Sequence, residues 1–455
     1  MSSQSLYLNT KPSKLFWKAA IPGGISMLAS SLYTIFDTLF IGKLIGTTAL
    51  AALGLAMPLI IINFALSELV GVGSSVPISI FLGKKEEDKA NNYFTSSVLL
   101  IVFTGILSGA LIYCAAPAFM RLMGAEGELL DYAVDYVRVY AVFSPITPLM
   151  FAMDNFLRIS GKIKTSMALN IVASALTVIT ELLLIVVFDM KVVGAALGAS
   201  LSMAACVAVA LVMFVPGKLQ LKYVKPKISR EMLIQIYKNG MAPFFTNISG
   251  RIFSVVMNVL LMSFSTEKGE AVAIYGVIMT LGGVVEQILY GVVDSLQPSL
   301  GYNYGAQHFD RVKTIEKYAM GAAAVISLVG AAVMFAIPGP LSIPFLEDRN
   351  LLDATIFAVR VSATTYLFKW IGVAVRCFFM ALERPMPAMI LSMADACVIP
   401  LAIIPLLMPF ELTGLWLNYP VRTLLVGVLS VLVLWKLKDK LFTVTPNEKK
   451  EGEIE

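Results

Sequence analysis

Apolar runs longer than about 18 residues recur from one end of this 455-residue chain to the other. Such runs leave few folds open. Where no water reaches the backbone, each peptide group must be satisfied inside the structure, which only helices and closed barrels achieve. Unbroken apolarity, without the alternation of a barrel strand, selects helices. Only 14% of residues are charged and 58% are hydrophobic, whereas a soluble domain carries about a quarter charged residues. The chain reads as an all-α polytopic membrane protein with no large soluble domain. Twelve spans are expected near 14–42, 49–82, 92–120, 129–158, 165–188, 192–215, 232–264, 270–304, 313–337, 351–381, 386–408 and 412–435.

The charged residues then orient the spans, because basic loops stay cytoplasmic. One set of connections holds Lys84, Lys85 and Lys89; Arg158, Lys162 and Lys164; Lys218 to Arg230; Arg311, Lys313 and Lys317; and the tail from Lys436. The opposite set is acidic, with Glu126, Glu128, Asp131, Glu347, Asp348 and Glu411. Both termini are therefore expected in the cytoplasm. The first apolar run is too long for a cleavable signal and lacks a small-residue cleavage site before Gly42-Lys43. The net charge of +5 fits loops facing an anionic leaflet. No basic stripe interleaved with aromatics suggests nucleic acid. The four cysteines lie in apolar runs and read as small buried hydrophobes, and the single histidine, His308, excludes a histidine-based zinc cluster.

The longest polar linker, 216–231, falls midway, and the segments on either side repeat each other. Pro22 aligns with Pro243, and the same register places Asp37 over Asn258. ALAALG (49–54) aligns with AVAIYG (271–276), and LGKK (82–85) with YGAQ (304–307). The expected organisation is a bundle over 1–215, the linker, a second bundle over 232–436 and a tail over 437–455. Repeats with an even number of spans insert in parallel, and transporters commonly place a substrate site between such halves.

An acid inside a span is costly and marks a pathway or ion site by default. Asp37 is such an acid. It completes a polar stripe with Ser26, Ser30, Tyr33 and Thr34, and Pro22 with Gly23 and Gly24 lets the helix bend on the approach. In the fifth span Asn170, Ser174, Thr177 and Glu181 form a matching stripe. Two carboxylates with hydroxyl and amide oxygens can share a proton or coordinate a small hard cation such as sodium. The expected coupling-ion set is Asp37, Glu181, Thr177 and Ser174, with Pro22 as hinge. Asp154 and Arg158 stand one turn apart and suit an intrahelical pair. Tyr33, Asn155, Asp154, Glu68, Asn258, Glu286, Asp294 and Asp395 are candidates to line a cavity. Arg251, Lys369 and Arg376 either neutralise the second-half acids or extend toward an interface.

The first span followed by FIGKLIGTTALAALGLAMP (40–58), together with ISIFLGKK (78–85), QPSLGYNYGAQHFDRV (297–312) and GLWLNYPV (414–421), resembles the multidrug and toxic compound extrusion (MATE) transporters. The likeness covers roughly 14–436 and is greatest to their DinF/MepA-like branch. It implies two six-helix bundles forming a V around a central cavity. It also implies a monomeric antiporter in the bacterial plasma membrane, exporting drug-like organic cations against entering protons or sodium, with no cofactor. Asp37 takes the place of the branch's first-span aspartate. Glu181 takes that of its fifth-span aspartate, and Thr177 a position where asparagine is common. Ala199, flanked by Ser200 and Ser202, stands where a sixth-span hydroxyl is expected. A lipid-precursor flippase is the rival reading, and the acids argue against it. A membrane-embedded enzyme is a second rival, but HExxH and GxSxG motifs are absent.

Overall fold

Prolines and local overwound or underwound turns decide where the apolar runs become separate helices. The computed structural model describes residues 3–264, 270–346 and 349–442. Glu347, Asp348 and the tail from 443 onward lie outside these. In chain order the helices are α1 (Ser3–Asn9), α2 (Pro12–Phe40), α3 (Thr47–Gly83), α4 (Glu87–Leu122), α5 (Gly127–Phe143), α6 (Leu149–Ile159), α7 (Ile163–Leu182), α8 (Lys191–Phe214) and α9 (Arg230–Phe264). They continue as α10 (Glu270–Asp294), α11 (Gln297–Gly305), α12 (Phe309–Ala336), α13 (Pro338–Ser342), α14 (Leu352–Ala363), α15 (Tyr366–Ala381), α16 (Pro385–Met393), α17 (Ile399–Leu407) and α18 (Glu411–Leu441).

Among the described residues nine stretches are long and apolar enough to cross a membrane, or ten when α14 and α15, bent by 44°, count as one span. Two local features separate this from the twelve expected. A turn containing Pro145 and Pro148 divides the fourth span into helices of 17 and 11 residues. The eleventh and twelfth spans run together as a 55-residue stretch, Pro385–Asp439. At about 1.5 Å per residue that is far longer than a ~30 Å hydrocarbon core. It is interrupted by a π turn at Ala394–Val398, a 3-10 turn at Met408–Phe410 and a positive φ of 51° at Glu411. There α18 doubles back to pack on α17.

The two repeats are joined by exchange of partners. Helix α2 packs on α10, and α3 packs on α9. These pairings are equivalent under the repeat, which sets α9 over α2 and α10 over α3. Both depend on backbones that nearly touch. A Cβ on Gly23 would lie 2.2 Å from the Gly291 carbonyl oxygen, and one on Gly240 would lie 1.8 Å from that of Leu69. The Gly23 position thus serves close packing here, and α2 is helical throughout, Pro22 included.

The distribution of the core defines the overall shape. One large cluster draws on both repeats, with Leu69, Phe94 and Phe156 from the first and Ile236, Tyr302 and Phe379 from the second. Two others each draw on one repeat: Ile41, Leu53, Tyr136 and Ile185, and separately Phe253, Met257, Ile274 and Tyr419. The shared cluster includes Leu82, Ile159, Leu219 and Val312, next to the basic segments. The halves therefore meet at the basic end and part at the other, as in a V.

Helix α1 lies across the joined end. Tyr7 stacks on Tyr302 at 4.6 Å between ring centres and donates to the Arg158 carbonyl, while Arg311 donates to the Thr10 carbonyl at 2.7 Å. The linker 215–229 has no helix and is strapped to α4, where Asn91 and Asn92 accept from the Lys222 and Lys227 amides at 2.8 and 2.7 Å.

Because Gly240 has no room for a side chain, Gly240→Ala should lower stability by about 1–3 kcal/mol despite alanine's better helix propensity. Gly276, with open space around it, should tolerate alanine without loss. Thermal unfolding of the two purified variants checks the contrast.

Candidate functional site

The polar stripe of α2 meets that of α7 inside the first half. Asp37 is 6% exposed and Glu181 1%, and the two carboxyls are close neighbours. Two carboxyl groups buried this near each other repel when both are ionised, so the arrangement suits the holding of one proton between them. The Tyr33 hydroxyl donates to Glu181 Oε1 at 3.4 Å, and Tyr140 stands near Asp37. On α8, Gly198 lets that helix press directly on Glu181: a Cβ there would be 2.7 Å from the Glu181 amide nitrogen. The hydroxyls of Thr177 and Ser174 donate back to the carbonyls of Ala173 and Asn170 at 2.8 and 3.0 Å, which leaves their lone pairs as the groups they can offer.

Part of the expected α7 stripe is used elsewhere. Asn170 donates to Asp154 at 2.7 Å, Ser166 also donates to Asp154, and Arg158 binds the same carboxylate at 2.6 Å. Asp154 and Arg158 thus form the intrahelical pair that their spacing suggested. Ser202 bonds Thr180 at 2.9 Å and the Gly198 carbonyl at 2.7 Å, so its hydroxyl serves the α7–α8 contact.

A cavity of about 620 Å³ lies between the halves and leans into the second. Glu68, Asp154, Asn155, Glu286, Asp294 and Asp395 line it; Tyr33, Asn258, Asp37 and Glu181 do not. Five basic side chains match the five acids: Arg158, Arg251, Lys369, Arg376 and Arg422. Lys369, 5% exposed, bridges Glu286 at 3.0 Å and Asp395 at 3.5 Å, and Arg422 binds Asp395 at 3.3 Å. Arg376 lies over the Tyr290 ring at 5.0 Å. Lys369 and Arg376 are thus buried among these groups and do not reach for an interface. Arg422 was not singled out in the sequence, although a cation inside the apolar run of α18 carries the same signal as Asp37.

Two cysteines depart from the expected reading. The Cys377 thiol donates to Asp294 at 2.9 Å, so it is a polar partner in the cavity wall. Cys114 is exposed on α4, on a helix face turned away from the bundle.

The MatE family model matches residues 22–183 and 243–406, segments that begin at the two prolines of the internal repeat. The chain belongs to the MatE family. Among its relatives, the multidrug export protein MepA of Staphylococcus aureus (strain MSSA476) is 28% identical over 99% of this chain and 100% of its own. An outward-facing multidrug resistance MATE family transporter of the MOP superfamily shares the fold with a TM-score of 0.91. It is 22% identical and covers 97% of this chain and 98% of that one. A MOP superfamily transporter from Pyrococcus furiosus, described by a reversed polarity of its binding pocket, also gives 0.91 at 22% identity, covering 97% and 99%.

Within this MatE chain Lys369 holds two carboxylates apart, and removing it leaves buried charge uncompensated. Lys369→Met should therefore cost about 3–5 kcal/mol of stability. Adding Glu286→Gln should restore part of it, and thermal unfolding in detergent measures both.

Proposed function

We propose that this chain is a secondary active multidrug efflux antiporter of the bacterial plasma membrane. It exports bulky, often cationic organic compounds in exchange for protons by alternating access. The single observation that carries the coupling half of this reading is the pair of neighbouring buried carboxyls, Asp37 and Glu181. It is buried inside the first bundle and stands apart from the cavity that would hold the cargo.

A proton entering or leaving this pair changes its charge by one unit inside an apolar bundle, a change costly enough to bias the packing of α2 against α7. Pro22 weakens the helix on the far side of the Gly23 contact, which makes it the hinge of this scheme. The basic segments face the cytoplasm, so both termini are cytoplasmic, and the joined end of the V is the inner end with the cavity opening outward. The second half carries Asn258 where the repeat has Asp37, and an amide cannot take up a proton at neutral pH. Coupling therefore rests in the first half. The export activity named for MepA, a full-length relative, supports the cargo class. The equal numbers of acids and bases lining the cavity speak against a cationic phosphate-binding chamber of the flippase kind.

Asp37→Asn should abolish gradient-driven dye export from proteoliposomes while leaving membrane insertion and thermal stability intact. Glu181→Gln should reduce export at least tenfold. Normal export by Asp37→Asn, or export driven by a sodium gradient and indifferent to pH, would contradict proton coupling at this pair.

A further inference from the structure

The charges lining the cavity are not all matched to one another. Asp154 is held by Arg158, while Glu286 and Asp395 are held by Lys369 and Arg422. Arg251 is different. It stands in α9, well inside a stretch apolar enough to span a membrane, and its side chain is exposed to the cavity that it lines. Among the described residues it forms no ion pair and no hydrogen bond; its polar neighbour is the Tyr275 phenol, which is already engaged by Tyr419 at 3.0 Å. A guanidinium kept unpaired at membrane depth is costly, and its planar fork of donors fits a carboxylate. One helical turn deeper on the same face of α9, Asn247 donates at 2.7 Å to Glu68, a carboxylate with no cationic group within ion-pair distance among the described residues. Arg376 is the other cation without an ion pair, but it is buried, packed over Tyr290 and donating to Thr246 at 3.5 Å. Asp294 also lacks an ion pair, but it accepts from the Cys377 thiol. The cavity wall therefore offers one accessible unpaired cation, Arg251, and on the same side Glu68, which Arg376 attracts without forming an ion pair.

We propose that the cavity recognises zwitterionic organic compounds, with Arg251 binding a substrate carboxylate and Glu68 the substrate's cationic nitrogen. The assignment rests on the efflux reading above and narrows its cargo from cations at large to molecules carrying both charges. Arg251 is then a specificity-determining residue, since it rewards an anionic group and repels a cargo that is only cationic.

A dye and its ester separate these cases at nearly constant size. Rhodamine 110 is a zwitterion at neutral pH, and rhodamine 123 is its methyl ester and a pure cation. Fluorescence-anisotropy titration of the purified full chain in detergent should give tighter binding of rhodamine 110 than of rhodamine 123. Arg251→Gln should weaken rhodamine 110 at least tenfold and leave rhodamine 123 unchanged or tighter. Arg251→Lys, which keeps the charge but loses the fork, should fall between. Glu68→Gln should weaken both dyes. Thermal unfolding of the Arg251 variants should match the parent, because the side chain packs against open cavity.

Equal affinities of the parent for the two dyes, failure to bind rhodamine 110, or an equal loss of both dyes in Arg251→Gln would overturn the proposal. Binding is read here without any gradient. A parent chain that discriminates the dyes but does not move either in proteoliposomes would overturn the antiport reading and leave the zwitterion site standing.

Discussion

A charge carried into hydrocarbon must find a partner, and most of this molecule is arranged around that requirement. The apolar helices can satisfy their own backbones, but the acids and bases set among them cannot satisfy themselves. Several of the deeply placed groups point to a second residue. Asp37 points to Glu181, with which the proposed scheme has it share a proton. Lys369 draws Glu286 and Asp395 together across α10, α15 and the turn before α17. Asp154 gathers Arg158, Ser166 and Asn170 at the foot of the first half. At the cavity wall Arg251 has no ion pair and Glu68 only an amide donor, and the proposal fills both with a molecule that comes and goes.

The two halves meet the same requirement in different ways. In the first, two acids are close neighbours with no ion pair among the described residues, and in the proposed scheme a mobile proton supplies the compensation. In the second, a lysine and an arginine supply it permanently. A tethered ammonium between two carboxylates occupies the place that a free cation would otherwise fill, so this half has a fixed charge pattern. The asymmetry agrees with the loss of the first-span acid from the second repeat, where Asn258 lies off the cavity. The exchanged contacts of α2 with α10 and α3 with α9 tie the half that holds Asp37 and Glu181 to the half with fixed charges. A shift in α2 is thus felt directly at the wall of the cavity.

Much of this was legible in the residues. Long apolar runs gave the helical membrane class, and the paired prolines, Pro22 and Pro243, gave the duplication. The period of four and three residues placed Tyr33 with Asp37, and Thr177 with Glu181, on facing stripes. What stayed hidden was whatever depends on two helices distant in sequence. Nothing in one stripe says that Asn170 turns to Asp154 while Glu181, on the same helix, turns to Asp37. Gly23 read as a source of flexibility because its neighbour Gly291 lies in another span. The expected limits of the fourth and the last two spans match the helices, but their internal breaks, a proline-bearing turn and a π turn, alter the helix without altering hydropathy. Arg422, a cation inside an apolar run, was legible by the rule that marks Asp37.

The central claim is that Asp37 and Glu181 together hold one exchangeable proton whose presence opposes cargo. The most direct measurement counts protons. Adding a transported dye to purified protein in weakly buffered detergent at neutral pH should release about one proton per bound dye, because two ligands that exclude each other are reciprocally linked. The same titration on Glu181→Gln, with dye binding retained, should release none. Proton release undiminished in that variant, or no release from the parent chain while the dye binds, would contradict the account.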